Sequence, residues 1–407
     1  MADPRNIHIQ DYTYTLPEER IARYPLSERD ASKLLLFKNR NISEDIYRNI
    51  AYHIPEGSLL VFNNTKVIEA RLLFQKSTGG VIELFCLNPY SQYADIITAM
   101  QQTRTVLWNC MIGGASKWKP GQILEKKGND VLLKAKYVKK STDSFLIEFS
   151  WLPFDLSFVE VLHHVGAVPL PPYLKREAET LDKERYQTIF ASTEGSVAAP
   201  TAGLHFTEYI FKQLDKKNIK TEFLTLHVGA GTFKPVKSEI IGGHPMHGEN
   251  FEIGLIALET IIDHLDCNII PVGTTSLRAL ESLYWIGVKI LNGNISFEVS
   301  QWDPYVIDPD GITASDALIA LKKELQKAGE QRVLASTSLL IAPSYKFRIA
   351  NALITNFHQP QSTLLLLVAA FIGEDWSKVY EYALNNDFRF LSYGDGCLLW
   401  ASNQLTS

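Results

Sequence analysis

The sequence predicts an α/β fold, a mixed α/β domain interrupted by an inserted antiparallel β-barrel domain. Two observations carry this expectation. From Leu59 to about Trp151 the chain is written in short β runs divided by turn signals, with little helical periodicity. On both sides of that stretch, strands alternate with amphipathic helices, the pattern that packs helices against a sheet. The expected division is a discontinuous α/β domain of residues 1–66 and 152–407, with residues 67–151 forming the barrel.

Inside the insert, runs 69–75 and 81–87 flank Ser77, Thr78, Gly79 and Gly80, a hairpin signature. Runs 122–125, 131–137 and 145–149 follow at the spacing of a small barrel or sandwich. After the insert, residues 193–211 lead into a helix. Pro200 and Gly203 tighten the backbone, and Thr207 caps the apolar run Tyr209, Ile210, Phe211 and Leu214. Two later segments repeat the arrangement. In 268–285 a short apolar strand meets Gly273, Thr274, Thr275 and Ser276 before a helix. In 351–371 the strand 352–354 meets Thr355, Asn356, Phe357 and His358, and a buried helix follows, capped by Ser362 or Thr363. Residues 311–332 read as a solvent-exposed helix. In α/β sheets such strand-to-helix loops gather at the carboxyl ends of the strands, where ligands bind. Three of them, all rich in Thr, Ser, Asn or His, predict one shared pocket.

Composition bounds the function classes. A chain of 407 residues, 46% hydrophobic and 21% charged, has room for two globular domains. No run approaches the roughly 20 apolar residues that span a bilayer. The first residues are acidic and polar where a secretion signal needs an apolar core. Cys86, Cys110, Cys267 and Cys397 lack CxxC spacing, which argues against a zinc knuckle or a disulfide framework. The expectation is a cytoplasmic monomer with reduced thiols, no membrane contact, no metal and no prosthetic group. The net charge of −5 does not advertise nucleic-acid binding, but residues 116–140 carry eight lysines against Glu125 and Asp130. Lys117, Lys119, Lys126 and Lys127 are candidates for contacting RNA phosphates, with a solvated lysine face as the plain alternative.

Longer motifs now matter. Residues 168–173 (VPLPPY), 185–188 (RYQT), 195–207 (GSVAAPTAGLHFT), 225–236 (TLHVGAGTFKPV), 244–249 (HPMHGE), 273–278 (GTTSLR), 355–358 (TNFH) and 392–395 (SYGD) occur in order. Nearer the start, 22–25 (ARYP), 29–32 (RDAS) and 63–71 (NNTKVIEAR) belong with them. Together these resemble the S-adenosylmethionine:tRNA ribosyltransferase-isomerase family of queuosine biosynthesis, over nearly the whole chain.

The resemblance implies an α/β domain with an inserted barrel and a cleft between them. It implies a reaction in which the ribosyl part of S-adenosylmethionine is transferred and isomerised onto a 7-aminomethyl-7-deazaguanine in the tRNA wobble position. Epoxyqueuosine-tRNA forms, and adenine and methionine leave. S-Adenosylmethionine is then a ribosyl-donating substrate and tRNA the macromolecular partner. Such chemistry needs a base for a carbon acid beside a sulfonium, an acid to assist adenine departure, and hydrogen bonds to ribose hydroxyls. His205, His358, His227 and His247 are the candidate imidazoles, with His205 and His358 favoured by their loops; Glu249 and Asp395 are the carboxylate alternatives. Thr201, Gly203, Thr207, Gly229, Asn64, Arg71, Thr274, Thr275, Ser276, Thr355 and Asn356 are candidate substrate contacts. Arg278 either pairs with Glu249 or Glu281, or reaches a substrate carboxylate. Gly229 and Gly231 read as bending points rather than a phosphate loop, and His163 with His164 as a packed helix end.

The chain departs from the family pattern in places. Gln361 stands where a lysine is usual and Asn351 where an acid is usual, and the stretch around 300–335 is extended. Two alternatives therefore accompany the main reading: a paralogue using S-adenosylmethionine on another acceptor, and a non-catalytic RNA-binding module.

Overall fold

A computed structural model describes residues 3–76, 79–93, 95–141, 144–229, 236, 238–309 and 311–402. Ser77, Thr78 and Gly231, named above for turns, lie outside the described residues.

The α/β body is organised around strand Leu59–Asn63, whose residues are all buried. Ile269–Pro271 and Lys220–Leu226 flank it in parallel. Beyond Lys220–Leu226 the sheet continues antiparallel through Glu249–Gly254 and Arg332–Thr337, with Glu298–Val299 on the edge. Continuous apolar runs such as 59–62 and 269–272 suit strands covered on both faces. A second sheet runs in the order Ala352–Asn356, Gly396–Trp400, Lys33–Lys38, Asn41–Ile46. A parallel bridge between Val272 and Ile354 joins the two sheets edge to edge. The ends of Ile269–Pro271 and Ala352–Asn356 therefore point the same way, and their loops open side by side.

Helix Thr274–Leu291 is buried on every side from Ser276 to Lys289 and forms the spine of the body. It crosses helix Ala314–Ala328 at Gly287, where a Cβ would lie 2.1 Å from the Ala317 carbonyl oxygen. The Ala314–Ala328 helix corrects the expectation of a solvent-exposed helix over residues 311–332, since one of its faces is buried. Ala317, Leu318, Leu321 and Leu325 are spaced as one helical stripe and are buried against the spine. Its start is fixed by a capping box between Thr313 and Asp316.

The insert is a nearly closed barrel of six antiparallel strands. In spatial order they are Arg71–Gln75, Val81–Pro89, Thr105–Gly113, Phe145–Leu152, Val131–Lys140 and Ile123–Gly128. The first and last approach each other. Thr105–Gly113 was not among the runs read from sequence, although Val106, Trp108 and Cys110 alternate inward as a half-buried strand requires. Helix Phe158–Val165 fills one end of the barrel, with the Phe158 ring packed on Trp108, Phe149 and Trp151. No helix among the described residues is long and apolar enough to cross a membrane.

Candidate active site

The three strand-to-helix loops converge. Residues 198–202, 273–275 and 355–363 line one cleft of about 1000 Å³, mouth included, together with Tyr173, Tyr186 and Ser392. The local reasons are legible. Gly273 takes φ +95° and ψ 151°, a backbone state nearly reserved for glycine, and turns the strand Ile269–Pro271 directly into the spine helix. Ser362 caps the helix Thr363–Ile372 by accepting from the Leu365 N–H. Thr201 sits in the short 3-10 turn Thr201–His205, which is held by the bond from Gly203 N–H to the Pro200 carbonyl.

Asn356 is the hub of this cleft. Its Oδ1 accepts a hydrogen bond of 2.8 Å from the Thr201 hydroxyl. Its Nδ2 faces His205 Nε2 and the Asp395 carbonyl, each at 3.4 Å. His358 lies on the wall, with Nε2 2.9 Å from the Thr355 hydroxyl and its backbone N–H bonded to the Tyr380 hydroxyl at 3.1 Å. Burial pushes the His358 imidazole down to about 4, so it is neutral at physiological pH. Thr201, Thr274, Thr275, Thr355, Asn356 and His358 are thus brought together on one surface.

His205 stands elsewhere. It is buried behind Asn356, stacked on Tyr47 at 4.4 Å, with Nδ1 3.2 Å from the Arg29 carbonyl. Burial lowers it to about 4 against the opposing pull of the Arg29 carbonyl and Asp395. Its contacts orient the Asn356 amide and do not reach the cleft. Gly203 lies against Phe190 and Thr188, where a Cβ would come within 2.8 Å of the Phe190 ring. Thr207 caps its helix and donates to Asp30. Ser276 donates to the Val272 carbonyl. Asp395 is buried and accepts from the Lys33 and Arg389 N–H groups and the Arg389 guanidinium, an anchor for the C-terminal turn.

A side cavity adjoins the cleft and shares Thr363 and Leu364 with it. Gly229, His247, Glu249 and Arg278 line it. Arg278 pairs with Glu249 rather than Glu281; the latter is held by Tyr345 and the N–H groups of residues 348–350. His247 is exposed at the rim. Among the described residues no cluster of three or more His, Cys, Asp or Glu has metal-ligand proximity.

His227 faces a different groove, beside Asp95 and Asn250, and touches Thr65 at 3.4 Å. Burial lowers it to about 4, opposed by Asp95. Asn64 accepts from Thr225 as a strut between strands. Arg71 pairs with Glu83 on the neighbouring barrel strand. Of the basic candidates, Lys117, Lys119 and Lys127 are exposed, while Lys126 is half-buried. Adjacent residues of a strand face opposite sides, so Lys126 and Lys127 do not share one surface. Burial lowers Lys126 accordingly.

Sequence reasoning gave no site role to Tyr173, Tyr186 or Ser392. Tyr173 bonds the Ser392 hydroxyl at 2.5 Å, and the Tyr186 hydroxyl is buried on the cleft wall. All three fell inside the quoted motifs, which was the available signal. His163 was set aside, yet it bridges the barrel to the body. Its ring lies 2.6 Å from Glu69 and 3.2 Å from Glu194, whose carboxylates also meet Lys183 and Lys66.

Comparison with known proteins decides the family. A family model described as queuosine biosynthesis protein matches residues 9–399. The chain belongs to that family. An S-adenosylmethionine:tRNA ribosyltransferase-isomerase of Trichlorobacter lovleyi is 37% identical over 399 residues, spanning 96% of this chain and 99% of that protein. One from Pelobacter propionicus is 35% identical over 397 residues, with the same coverage. The crystal structure of the S-adenosylmethionine tRNA ribosyltransferase of Thermotoga maritima is 25% identical, covering 96% of this chain and 99% of that one, with a TM-score of 0.45. In this chain the loops 198–202, 273–275 and 355–363 form the walls of one cleft.

Proposed function

We propose that the protein is an S-adenosylmethionine-dependent tRNA ribosyltransferase-isomerase of queuosine biosynthesis. It moves and isomerises the ribosyl group of S-adenosylmethionine onto the aminomethyl-deazaguanine of tRNA. The observation that carries the reading is the convergence of three polar loops on a single cleft in a chain of this family. The cleft offers what the reaction asks for. Thr201, Thr274, Thr275 and Thr355 supply hydroxyls for an opened ribose. Tyr173 and Tyr186 border the same cleft and offer aromatic surface to adenine and to the sulfonium.

His358 is the imidazole on that wall and takes the proton-transfer role; as a neutral base it removes the proton of the carbon acid beside the sulfonium. His205 acts through Asn356 as a positioning residue. The basic surface of the barrel, through Lys117, Lys119 and Lys127, supplies sequence-independent attraction for tRNA phosphates. The protein works in the cytoplasm, where its tRNA substrate is found.

The test is mass spectrometry of free adenine and modified nucleoside after incubation with S-adenosylmethionine and tRNA bearing the aminomethyl-deazaguanine. Adenine with an epoxyqueuosine mass is expected. Adenine without that product would move the reading to another acceptor, and no turnover by a folded, tRNA-binding protein would sink it.

A further inference from the structure

The side cavity that shares Thr363 and Leu364 with the main cleft holds an unusual arginine. Arg278 is 7% exposed and projects from the spine helix. Its Nε donates to the Leu339 carbonyl at 3.0 Å and one terminal nitrogen pairs with Glu249. Those two contacts fix the guanidinium plane from two sides. The remaining terminal nitrogen, Nη2, is buried and has no hydrogen-bond partner among the described residues. A buried guanidinium donor left unmade costs free energy that a folded protein ordinarily avoids. It is retained at low cost where a ligand completes it.

We infer that Arg278 Nη2 receives the carboxylate of an α-amino acid, and that the side cavity is the subsite for the amino-acid end of the S-adenosylmethionine donor. The inference rests on the proposed use of that donor. Three features agree. The subsite is continuous with the cleft: Val228 lines one and Gly229 the other, and Thr363 and Leu364 line both. Leu340, Ile341 and Leu367 give it an apolar wall suited to a methylene chain between sulfonium and carboxylate. The adjoining Arg278–Glu249 pair presents both signs of charge, which complements a zwitterion better than a simple anion. A pre-set guanidinium loses little side-chain freedom on binding, so its contact is realised in affinity and orientation. Anchoring the amino-acid end would hold the sulfonium and ribose in register with the Thr355–His358 wall.

The experiment compares two ligands by calorimetry on the intact protein. One is S-adenosylmethionine. The other is its decarboxylated analogue, which keeps adenine, ribose and sulfonium but lacks the carboxylate. Binding of S-adenosylmethionine about tenfold or more tighter is expected for one charge-assisted contact. The double variant Arg278→Gln with Glu249→Gln, which avoids stranding a buried charge, should bind both ligands alike. Equal binding by the wild-type protein would overturn the inference while leaving the proposed function standing. Retained discrimination in the folded double variant would also overturn it. Binding of neither ligand by the wild-type protein would overturn the proposed function and this inference together.

Discussion

Replacing His163 tests how the barrel is held to the body. His163 lies on the helix that fills the barrel end, between Glu194 of the body and Glu69 at the barrel junction. Hydrogen bonding to Glu194, then to Glu69, raises its pKa from 6.5 to about 9. Glu194 is held down at about 2, chiefly by the same bond, and Glu69 is held below its usual value despite burial. Both carboxylates are therefore ionised across the neutral range, and Lys66 and Lys183 flank them. The sign follows from linkage: a pKa raised on folding stabilises the native state fully below 6.5, and that contribution fades as pH rises through 9. The movement from 6.5 to about 9 sets a ceiling of roughly 3 kcal/mol. The side chain is about one-third exposed, so solvent screening reduces this to about 1–2 kcal/mol. His163→Gln keeps a donor and similar bulk but cannot carry charge. Unfolding of wild type and variant in urea, at pH 6, 7, 8 and 9.5, should show the gap widest at pH 6 and nearly closed at 9.5. A gap independent of pH would refute the reasoning.

Four further perturbations follow from the geometry. Gly273→Ala forces a side chain into φ +95°, ψ 151°, at a cost of about 1–3 kcal/mol; turnover should fall more than tenfold as Thr274 and Thr275 shift, and unchanged kinetics would dismiss the role of this turn. Gly287→Ala places a Cβ 2.1 Å from the Ala317 carbonyl and must push two helices apart; a melting temperature within a degree of wild type would contradict the packing. Thr201→Val removes the donor to Asn356 and should lower kcat severalfold, for about 1 kcal/mol, with little change in Tm; an unaltered kcat would show that Asn356 needs no such support. The His358 ring resonance, assigned by loss in His358→Gln, should titrate near 4, and titration near 6.5 would show the imidazole to be solvated.

Much of the site was legible because strand-to-helix loops obey a geometric rule. Thr201, Thr274, Thr275, Thr355, Asn356 and His358 come from loops that sequence alone could place at strand ends. What the sequence could not supply is depth. His205 and Asn356 are both polar loop residues, yet one stacks on Tyr47 behind the wall and the other forms it. That distinction depends on side chains more than 150 positions apart. The choice of Glu249 over Glu281 as the partner of Arg278 illustrates the same limit, since the pairing joins a strand to the spine helix across the sheet. The strand Thr105–Gly113 escaped notice because Leu107 and Met111, on its outward face, blur the apolar–polar alternation, while the helix Ile96–Met100 is too short for periodicity to show. The burial of Ala314–Ala328 was readable in its apolar stripe, Ala317, Leu318, Leu321 and Leu325.

Asn351 and Gln361, two of the positions at which the resemblance to the family falters, separate cleanly once placed in space. Asn351 begins the strand whose other end carries Thr355 and Asn356, so it lies at the far end from the cleft. Its Oδ1 accepts from the Ile269 N–H at 2.8 Å, and its own N–H donates to the Ile269 carbonyl at 2.9 Å. An amide oxygen meets that need as a carboxylate would, and the position is a structural joint away from the cleft. Gln361 is different. It lines the cleft, takes φ +54°, and is tied by its backbone to Tyr12 and by its side chain to Thr13. A lysine there would add a cation at the cleft mouth. The glutamine instead binds the N-terminal segment, which also reaches His358 through the Tyr14 hydroxyl. The N-terminal segment thus borders the cleft mouth beside Gln361 and His358. Any change in acceptor selectivity is to be sought at this rim and not in the hydroxyl-lined floor.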